Sequence, residues 1–336
     1  MPKLAQQHEK CSSTGRSTVS PIRDGSYKLL ALAALTLQNT ALVLLTKYSY
    51  RSSAEHYLVS TVVVCAEVVK LLLSYVLLVV SDDWRVAVEA LREIPSSANR
   101  LLVPSLLYVF QNNLLFKGVR LLNPTTYTVC SQSKILSSAL FSVLLLNTRI
   151  TSRQCLSLVL LVIGMILVNV GEQPEDSAEI QLLGRSDMYT GVLAVLTAAL
   201  TSGLAGTYLE KMYKEVGATP IVRSVWYRNA QLACFSVLVG AWTTYLNDGD
   251  VLRRTGIFQG YDIVVVGIIL LQAIGGLVVA TVLRYAGNVL KSFAISLSIC
   301  NCAIATQLFA YDAHLISLST LLGIAFVIFA TFLYST

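Results

Sequence analysis

Two lysines lie within stretches of sequence that are otherwise too apolar to hold a charge. Lys134 is near the middle of TYTVCSQSKILSSALFSVLLLN (126–147), and Lys291 lies in a comparably apolar stretch (288–310). A charged side chain at the centre of a bilayer costs about 2.5–3.5 kcal/mol on insertion scales. Charged residues at this depth usually mark a binding site or a transport pathway, and an ammonium group binds anions.

Few acidic residues are available in the apolar stretches to neutralise these lysines. Glu67 lies within a span and Glu210 near the end of one, and Glu67 has Lys70 three residues later on the same face of a helix. These two are expected to neutralise each other, with Lys70 either structural or lining a cavity. Structural pairing of Lys134 with a buried carboxylate is the alternative, and it has no spare acid to use. The scarcity of acids favours an anion-binding site formed by Lys134 and Lys291.

Polar residues accompany both lysines at helical spacing. In lipid such polar faces must point towards protein partners or water, so they predict a lined cavity. Two ammonium groups facing that cavity suit a ligand with about two negative charges, while the hydroxyls and amides suit hydroxyl groups, a sugar ring or a base edge. The three stripes are Tyr127, Ser131, Lys134 and Ser138; Asn288, Lys291 and Ser298; and Tyr108, Gln111 and Asn112.

The sequence offers no catalytic or metal-binding arrangement. It has no paired carboxylates deep in the spans, no Ser-His-Asp set and no Walker glycine loop, and its histidines and cysteines lack metal-ligand spacing. The Gly-x-x-Gly of SGLAGTYLEK (202–211) is interpreted as close helix packing. A membrane-embedded transferase, the rival class, would need a carboxylate base near the lysines. We therefore predict no enzyme, no metal and no cofactor, and the residues alone indicate a transporter of a small organic dianion.

The elements that must position these residues are membrane-spanning helices. The chain has 336 residues, of which 55% are hydrophobic and 13% charged, against about 25% charged in soluble domains. Apolar runs near 20 residues long match helices that cross hydrocarbon, so the predicted fold is all-α and polytopic. The ten predicted spans are 28–46, 57–80, 101–120, 123–146, 152–170, 188–212, 223–246, 260–283, 288–310 and 314–334.

Positively charged residues set the predicted orientation. With the N-terminus in the cytosol, fourteen Lys and Arg residues outside the membrane fall on the cytosolic side and seven on the other. Ten spans then place both termini in the cytosol and the acidic segment 171–187 on the opposite side. Arg228, beside Trp226 and Tyr227, is expected to reach the interface among aromatic-belt residues.

The chain divides into two halves that share their most unusual residue. Lys134 and Lys291 each lie in the fourth span of a half, and each is followed about thirty residues later by a glycine, Gly164 or Gly323. Since each half has an odd number of spans, the second must be inverted relative to the first, as in many secondary transporters. The predicted domains are a disordered cytosolic tail (1–26), a first five-helix repeat (27–170), an acidic loop (171–187) and a second five-helix repeat (188–334).

Six segments carry a resemblance to a known family: YLVSTVVVCAEVVKLL, VPSLLYVFQNNLLF, TYTVCSQSKIL, SGLAGTYLEK, RNAQL and GGLVVATVLRYAGNVLKSFA. They resemble the Golgi nucleotide-sugar transporters of the drug/metabolite transporter superfamily, nearest the CMP-sialic acid and UDP-galactose carriers. The similarity covers nearly all of 28–334. The combination of Q-N-N, Q-x-K-I and N-x-x-K-x-F is specific for the family and poor at naming the substrate.

This resemblance implies a multi-pass Golgi membrane protein that exchanges a cytosolic nucleotide sugar for a lumenal nucleoside monophosphate. The first expectation is an antiporter of CMP-sialic acid and CMP that works by alternating access. The alternatives are a UDP-galactose or other UDP-sugar antiporter, and another organic-phosphate exchanger of the superfamily. The expected partners are these nucleotides and the lipid bilayer, without nucleic acid, and a homodimer stays open as an assembly.

The family's nucleotide contacts, carried over residue by residue, fall on Tyr108, Asn112, Tyr127, Lys134, Asn229 and Lys291, and the stripes add Gln111, Ser131 and Asn288. Glu67 and Lys70 match the family's E-x-x-K and are expected to face the sugar or to be structural. The sialic acid carrier has a tyrosine where this chain has Ser131, and tyrosine and serine where it has Ala233 and Phe235. These departures leave the sugar and the base open.

Overall fold

The computed structural model describes residues 21–52, 57–81, 98–122, 124–171, 185–214, 224–309 and 317–335. Within these residues all regular structure is helical, as the apolar runs predict. The helices are α1 (Pro21–Ser52), α2 (Val59–Ser81), α3 (Ala98–Leu121), α4 (Pro124–Ser131), α5 (Ser133–Leu146), α6 (Ser152–Gly171), α7 (Arg185–Lys214), α8 (Val225–Thr255), α9 (Ile263–Tyr285), α10 (Asn288–Phe309) and α11 (Leu318–Ser335).

Most of these helices are long and apolar enough to cross a membrane. Eight candidate spans meet that description within the described residues, with α4 and α5 together forming one of them. The third and seventh predicted spans coincide with α3 and α8, which have 24 and 31 residues but are more polar. An all-helical polytopic membrane protein is thus confirmed, while the full count of ten spans stays a prediction.

Some helix boundaries differ from the predicted spans. α1 begins at Pro21, ahead of the predicted start at 28, and α8 continues to Thr255, beyond the predicted end at 246. The predicted tail lies outside the described residues as far as residue 20, and the acidic loop does so from 172 to 184. The proposed tail and loop therefore stay predictions.

The helix pairings follow the predicted division into two halves. α6 packs against α11 and α2 against α8, so each of these pairs joins corresponding helices of the two halves. α3 packs against α7 as α9 packs against α1, and α5 packs against α7 as α10 packs against α1. Exchanging the halves leaves the first two pairings unchanged and interchanges the other four, a pattern that two-fold related repeats would produce. The inverted orientation itself stays a prediction.

A tight crossing of α6 and α11 is formed by the two glycines that the repeat pattern relates. A Cβ atom on Gly164 would lie 2.9 Å from the carbonyl oxygen of Gly323, and one on Gly323 would lie 2.7 Å from the amide nitrogen of Val168. Next to this crossing, the Ser157 hydroxyl donates to the Ala330 carbonyl at 2.6 Å. Because glycine has no side chain, the two backbones can approach this closely. Close packing of this kind stabilises helix association in lipid, where the hydrophobic effect between helices is absent.

Helix α10, which carries Lys291, is attached to α1 by polar contacts. Asn39 Nδ2 donates to Ser298 Oγ at 2.5 Å, and the Thr36 and Thr40 hydroxyls donate to carbonyls of α10 at 3.3 and 3.4 Å. Such interhelical bonds contribute about 0.6 kcal/mol each on average in membranes. Ser298 therefore faces α1, and its predicted place on the cavity-facing stripe of Lys291 is wrong because α1 takes up that side of α10.

Candidate functional site

Lys134 and Lys291 line one cavity of about 130 Å³ between α5, α6, α7 and α10. The Lys134 side chain is open to this space, and Lys291 is half-buried. Among the residues that the structure describes, neither ammonium group has an ion-pair or hydrogen-bond partner. Their charges are close enough to repel each other. The structure thus brings the two lysines together as the sequence predicted; this space is called the lysine cavity below.

Small residues of α7 allow α5 and α10 to frame the lysine cavity. A Cβ on Gly203 would lie 2.7 Å from the backbone carbonyl carbon of Ser137 in α5, and one on Gly206 would lie 2.5 Å from the Asn288 side chain of α10. Both glycines belong to the Gly-x-x-Gly that the sequence indicated as a packing motif, and that interpretation is confirmed. Close approach of both helices to α7 places their lysines around the same space.

Glu210 is a buried acid near the lysine cavity, and it is already engaged at the start of α10. Its Oε2 accepts the Asn288 N–H at 2.7 Å, and its Oε1 lies 2.5 Å from Nζ of Lys214. Its charge acts on Lys291 without an ion pair between them. Carboxylates are favoured at helix N-termini because the first N–H groups there have no intrahelical acceptor. Glu210 is therefore a cap of α10, and Asn288 is held in the wall of the cavity.

The fourth predicted span is interrupted next to Lys134. Gln132 separates α4 from α5, and its N–H is shared between the carbonyls of Thr128 and Val129 at 3.3 and 3.2 Å. This shared bond is a local tightening towards 3₁₀ geometry. Gln132 itself is buried and lines the lysine cavity. Interrupted helices are a recurring feature of transporter binding sites, where irregular backbone borders a cavity.

A second cavity of about 450 Å³ lies between α2, α3, α7, α8 and α9. Its size falls within the range of about 300–1,000 Å³ that is typical of small-molecule sites. We call it the central cavity. The predicted site residues that line it are Glu67, Lys70, Tyr108, Asn112 and Asn229.

Glu67 and Lys70 form the ion pair that their spacing predicted. Lys70 Nζ lies 2.7 Å from Oε1 and 2.5 Å from Oε2 of Glu67. The stem of Lys70 lies against Gly276 of α9, where a Cβ would meet its Cδ. The pair is therefore neutral as a whole, borders the central cavity and depends on a glycine for its position.

The other predicted residues of the central cavity differ in their availability. Among the described residues, the Tyr108 hydroxyl and the Asn112 amide have no hydrogen-bond partner, and both line the cavity. Asn229 is engaged at both ends, because its Oδ1 accepts from the Tyr213 hydroxyl at 3.2 Å and its Nδ2 donates to Ser74 Oγ at 2.9 Å. Asn229 thus links α8 to α7 and α2.

Three predicted site residues line neither cavity: Gln111, Tyr127 and Ser131. Gln111 of α3 is half-buried, and its Oε1 is buried without a hydrogen-bond partner among the described residues. The Ser131 hydroxyl donates to the Thr128 carbonyl of its own helix at 2.8 Å. Of the stripe on α4 and α5, Lys134 and Ser138 line the lysine cavity, whereas Tyr127 and Ser131 do not.

The structure also shows functional candidates that the sequence analysis missed. α8 contributes Ser236, Thr243 and Asn247 to the central cavity, in line with Asn229, which was predicted. Their spacing of i, i+7, i+14 and i+18 follows one face of a helix, and that pattern could have identified them. Arg228 is 4% exposed, so the expectation that it reaches the membrane interface is wrong. Its charge acts on Tyr213 of α7, which places it towards the protein interior.

These features define a polytopic helical membrane protein with polar cavities inside its helix bundle. The sequence matches the family model described as nucleotide-sugar transporter over residues 23–335. The chain belongs to the nucleotide-sugar transporter family, whose members are transporters and not enzymes.

Three relatives are named for UDP-sugars. The UDP-N-acetylglucosamine transporter of Canis lupus familiaris is 40% identical over 319 residues, which cover 91% of this chain and 94% of that protein. The UDP-N-acetylglucosamine/UDP-N-acetylgalactosamine transporter nstp-4 of Caenorhabditis elegans is 39% identical, and the match covers 91% of this chain and 93% of that protein. The UDP-galactose translocator of Canis lupus familiaris is 37% identical, and the match covers 92% of this chain and 77% of that protein.

A solved crystal structure superposes on this chain with a TM-score of 0.64 at 11% identity, covering 92% of this chain and 97% of the other. At that identity the likeness concerns the fold alone.

Proposed function

We propose that this chain is a UDP-sugar antiporter of the Golgi membrane, which carries a cytosolic UDP-sugar into the lumen in exchange for UMP. Family membership supports nucleotide-sugar transport. The relatives named for UDP-N-acetylglucosamine and UDP-galactose favour the UDP-sugar alternative over CMP-sialic acid. CMP-sialic acid, the first expectation from the sequence, is therefore replaced by UDP-N-acetylhexosamine or UDP-galactose.

The observation that carries this proposal is the pair of lysines in the lysine cavity, which have no ion-pair or hydrogen-bond partner among the described residues. A UDP-sugar carries about two negative charges on its diphosphate, and a phosphate monoester such as UMP carries about 1.5–2 at neutral pH. Either ligand balances Lys134 and Lys291. Hydrogen bonds between ammonium and phosphate are charge-assisted and stronger than neutral ones.

Helix α7 provides a route for the rest of the ligand. Ser202 lines the lysine cavity, and Leu209 and Tyr213 line the central cavity. These three residues lie on one face of α7, at i, i+7 and i+11. With its phosphates at the lysines, an extended nucleotide sugar would reach along this face towards Tyr108, Asn112 and the Glu67–Lys70 pair. Asn229 would bind the ligand only after exchanging its bonds to Tyr213 and Ser74.

Obligate exchange follows from the cost of burying charge. Closing the protein around two uncompensated ammonium groups is unfavourable, because desolvation of each ion costs several kcal/mol. A bound nucleotide cancels these charges and permits the change between cytosol-open and lumen-open states. Since UDP-sugar and UMP both satisfy the lysines, each crossing in one direction is coupled to a crossing in the other. The proposed orientation has both termini in the cytosol.

Purified protein in liposomes provides the test. Uptake of radiolabelled UDP-N-acetylglucosamine should be fast into vesicles preloaded with UMP and slow into vesicles that are empty or preloaded with CMP. Equal rates into empty and UMP-loaded vesicles would exclude obligate exchange, and faster uptake with CMP would restore the first expectation. A thermal-shift panel of UMP, CMP, GMP and triose phosphate ranks the ligands independently, because a ligand at 100 times its Kd stabilises the protein by about 2.7 kcal/mol.

A further inference from the structure

Ser236 of α8 has an unused hydroxyl that faces the central cavity. Most serine and threonine hydroxyls in these helices donate to a carbonyl three or four residues earlier, as Thr36, Ser74 and Ser138 do. Thr243, one of the other polar residues of the same α8 face, donates to the Gly240 carbonyl at 3.0 Å. Ser236 lines the cavity, is half-buried and has no hydrogen-bond partner among the described residues.

The antiparallel packing of α2 and α8 places Ser236 level with the Glu67–Lys70 pair. Gly240 of α8 lies beside Val64 of α2, because a Cβ on Gly240 would lie 3.3 Å from the Val64 side chain. Asn229, earlier in α8, donates a hydrogen bond to Ser74, later in α2, so the two helices run in opposite directions. Moving four residues from Gly240 to Ser236 is an axial step of about 6 Å, and the same step along α2 leads from Val64 to the neighbourhood of Glu67. Since Ser236 and Glu67 both line the central cavity, they face the same space at the same depth.

The groups at this level form a set suited to a neutral polyol. The Glu67 carboxylate accepts hydrogen bonds, the Lys70 ammonium donates them, and the Ser236 hydroxyl does both. The Asn112 amide, which is open to the same cavity, adds a donor and an acceptor. The ion pair has no net charge, so this set suits hydroxyl and amide groups better than a further anion.

We propose that Ser236 is a specificity-determining residue, whose hydroxyl hydrogen-bonds a hydroxyl or acetamido oxygen of the sugar opposite Glu67. This inference rests on the proposed function, because it assigns the sugar of the UDP-sugar to the central cavity. In this arrangement Ser236 contacts neither the phosphates nor the base. Its removal therefore weakens ligands that carry a sugar and leaves UMP unaffected.

The test compares Ser236→Ala with the wild type in UMP-loaded liposomes, using external UDP-N-acetylglucosamine, UDP-galactose, UDP-glucose and UMP. Loss of one net hydrogen bond of about 0.5–1.5 kcal/mol raises KM by about 2- to 12-fold. We expect a rise of this size for at least one UDP-sugar, unequal changes among the sugars, and a KM for UMP within about 2-fold of the wild type. Ser236→Thr, which keeps the hydroxyl, should restore the affinity.

Thr197→Ala is the matched control, since the Thr197 hydroxyl donates to the Leu193 carbonyl of its own helix at 2.8 Å and lines neither cavity. Unchanged KM values in Ser236→Ala would overturn the inference. So would an equal rise for UMP and the UDP-sugars, since that result identifies a structural role. Failure of the wild type to exchange UDP-sugars for UMP would instead refute the proposed function, so the two failures are distinguishable.

Discussion

At the scale of single residues, the most informative feature is a pair of positive charges that the described part of the chain does not neutralise by direct contact. Lys134 and Lys291 share a cavity without direct partners among the described residues, and the buried acid near them is engaged in capping α10. An uncompensated charge in the membrane is unfavourable. The proposed function accounts for this arrangement, because a bound nucleotide would supply the missing negative charge.

Removal of either lysine should weaken nucleotide binding. A hydrogen bond to a charged group contributes about 1.5–3 kcal/mol, so Lys134→Ala and Lys291→Ala should each raise the Kd for UMP by about 10- to 150-fold. Isothermal titration of purified protein measures this change. Cys155→Ala is the control, because Cys155 is exposed and lines neither cavity. A Kd within about 2-fold of the wild type in both lysine variants would contradict the assignment.

The Glu67–Lys70 pair should be stable as a pair and costly to break. Glu67→Gln removes the counter-charge of the Lys70 ammonium, whose side chain is largely buried. Breaking a fully buried ion pair in this way costs about 3–5 kcal/mol. The double variant with Lys70→Met removes both charges and should recover much of the lost thermal stability. The melting temperatures of the wild type, the single variant and the double variant are compared in detergent. Lys117→Met, which changes an exposed lysine, is the control. A Glu67→Gln variant as stable as the wild type would show that the pair is not structural.

The lysines could be predicted from the sequence because a charge in an apolar run is visible without any structure. The sequence could not show that Gln111 and Ser131 line neither cavity, because which residues of a polar stripe reach a cavity depends on how the helices pack. The same limit applies to Arg228: neighbouring aromatics suggested an interfacial position, whereas the folded protein buries its side chain.

At the scale of helices, polarity explains why the predicted spans are not all equally apparent. α3 carries Tyr108, Asn112 and Asn113 to the central cavity, and α8 carries its own polar face. These residues lower the hydropathy of the two helices below that of the eight candidate spans. The two helices that contribute the most polar residues to the central cavity are thus the ones that composition alone identifies least clearly.

The crossing of α6 and α11 should tolerate no side chain at its glycines. Gly164→Ala and Gly323→Ala each place a Cβ within 3 Å of neighbouring backbone, and overpacking of this kind costs about 1–3 kcal/mol. We expect a lower melting temperature and an unchanged KM for UDP-sugars, since neither glycine lines a cavity. Gly249→Ala is the matched control: its nearest contact would be 3.9 Å away, so alanine should be neutral or stabilising there. Equal melting temperatures for all three variants would contradict the packing argument.

At the scale of the whole molecule, the pairing of the two halves places equivalent helices around the lysine cavity. α5 and α10 both pack on helices of the opposite half, against α7 and α1 respectively, and each contributes one lysine. The charge balance of the cavity is therefore shared by both halves. In the proposed exchange mechanism, a movement of one half that changes the distance between the two ammonium groups would couple the ligand to the global state.

Neutralising both lysines should allow the empty protein to close. If burial of two uncompensated charges keeps the empty molecule open, then the double variant Lys134→Met and Lys291→Met removes that cost without a ligand. Hydrogen–deuterium exchange of the segments lining the two cavities measures closure. We expect the empty double variant to exchange as slowly as the UMP-bound wild type, and UMP to have no further effect on it. Lys211→Met, at an exposed position of α7, should behave as the wild type. A double variant that exchanges as fast as the empty wild type would refute charge-controlled closure, and the exchange mechanism would then need another source of coupling.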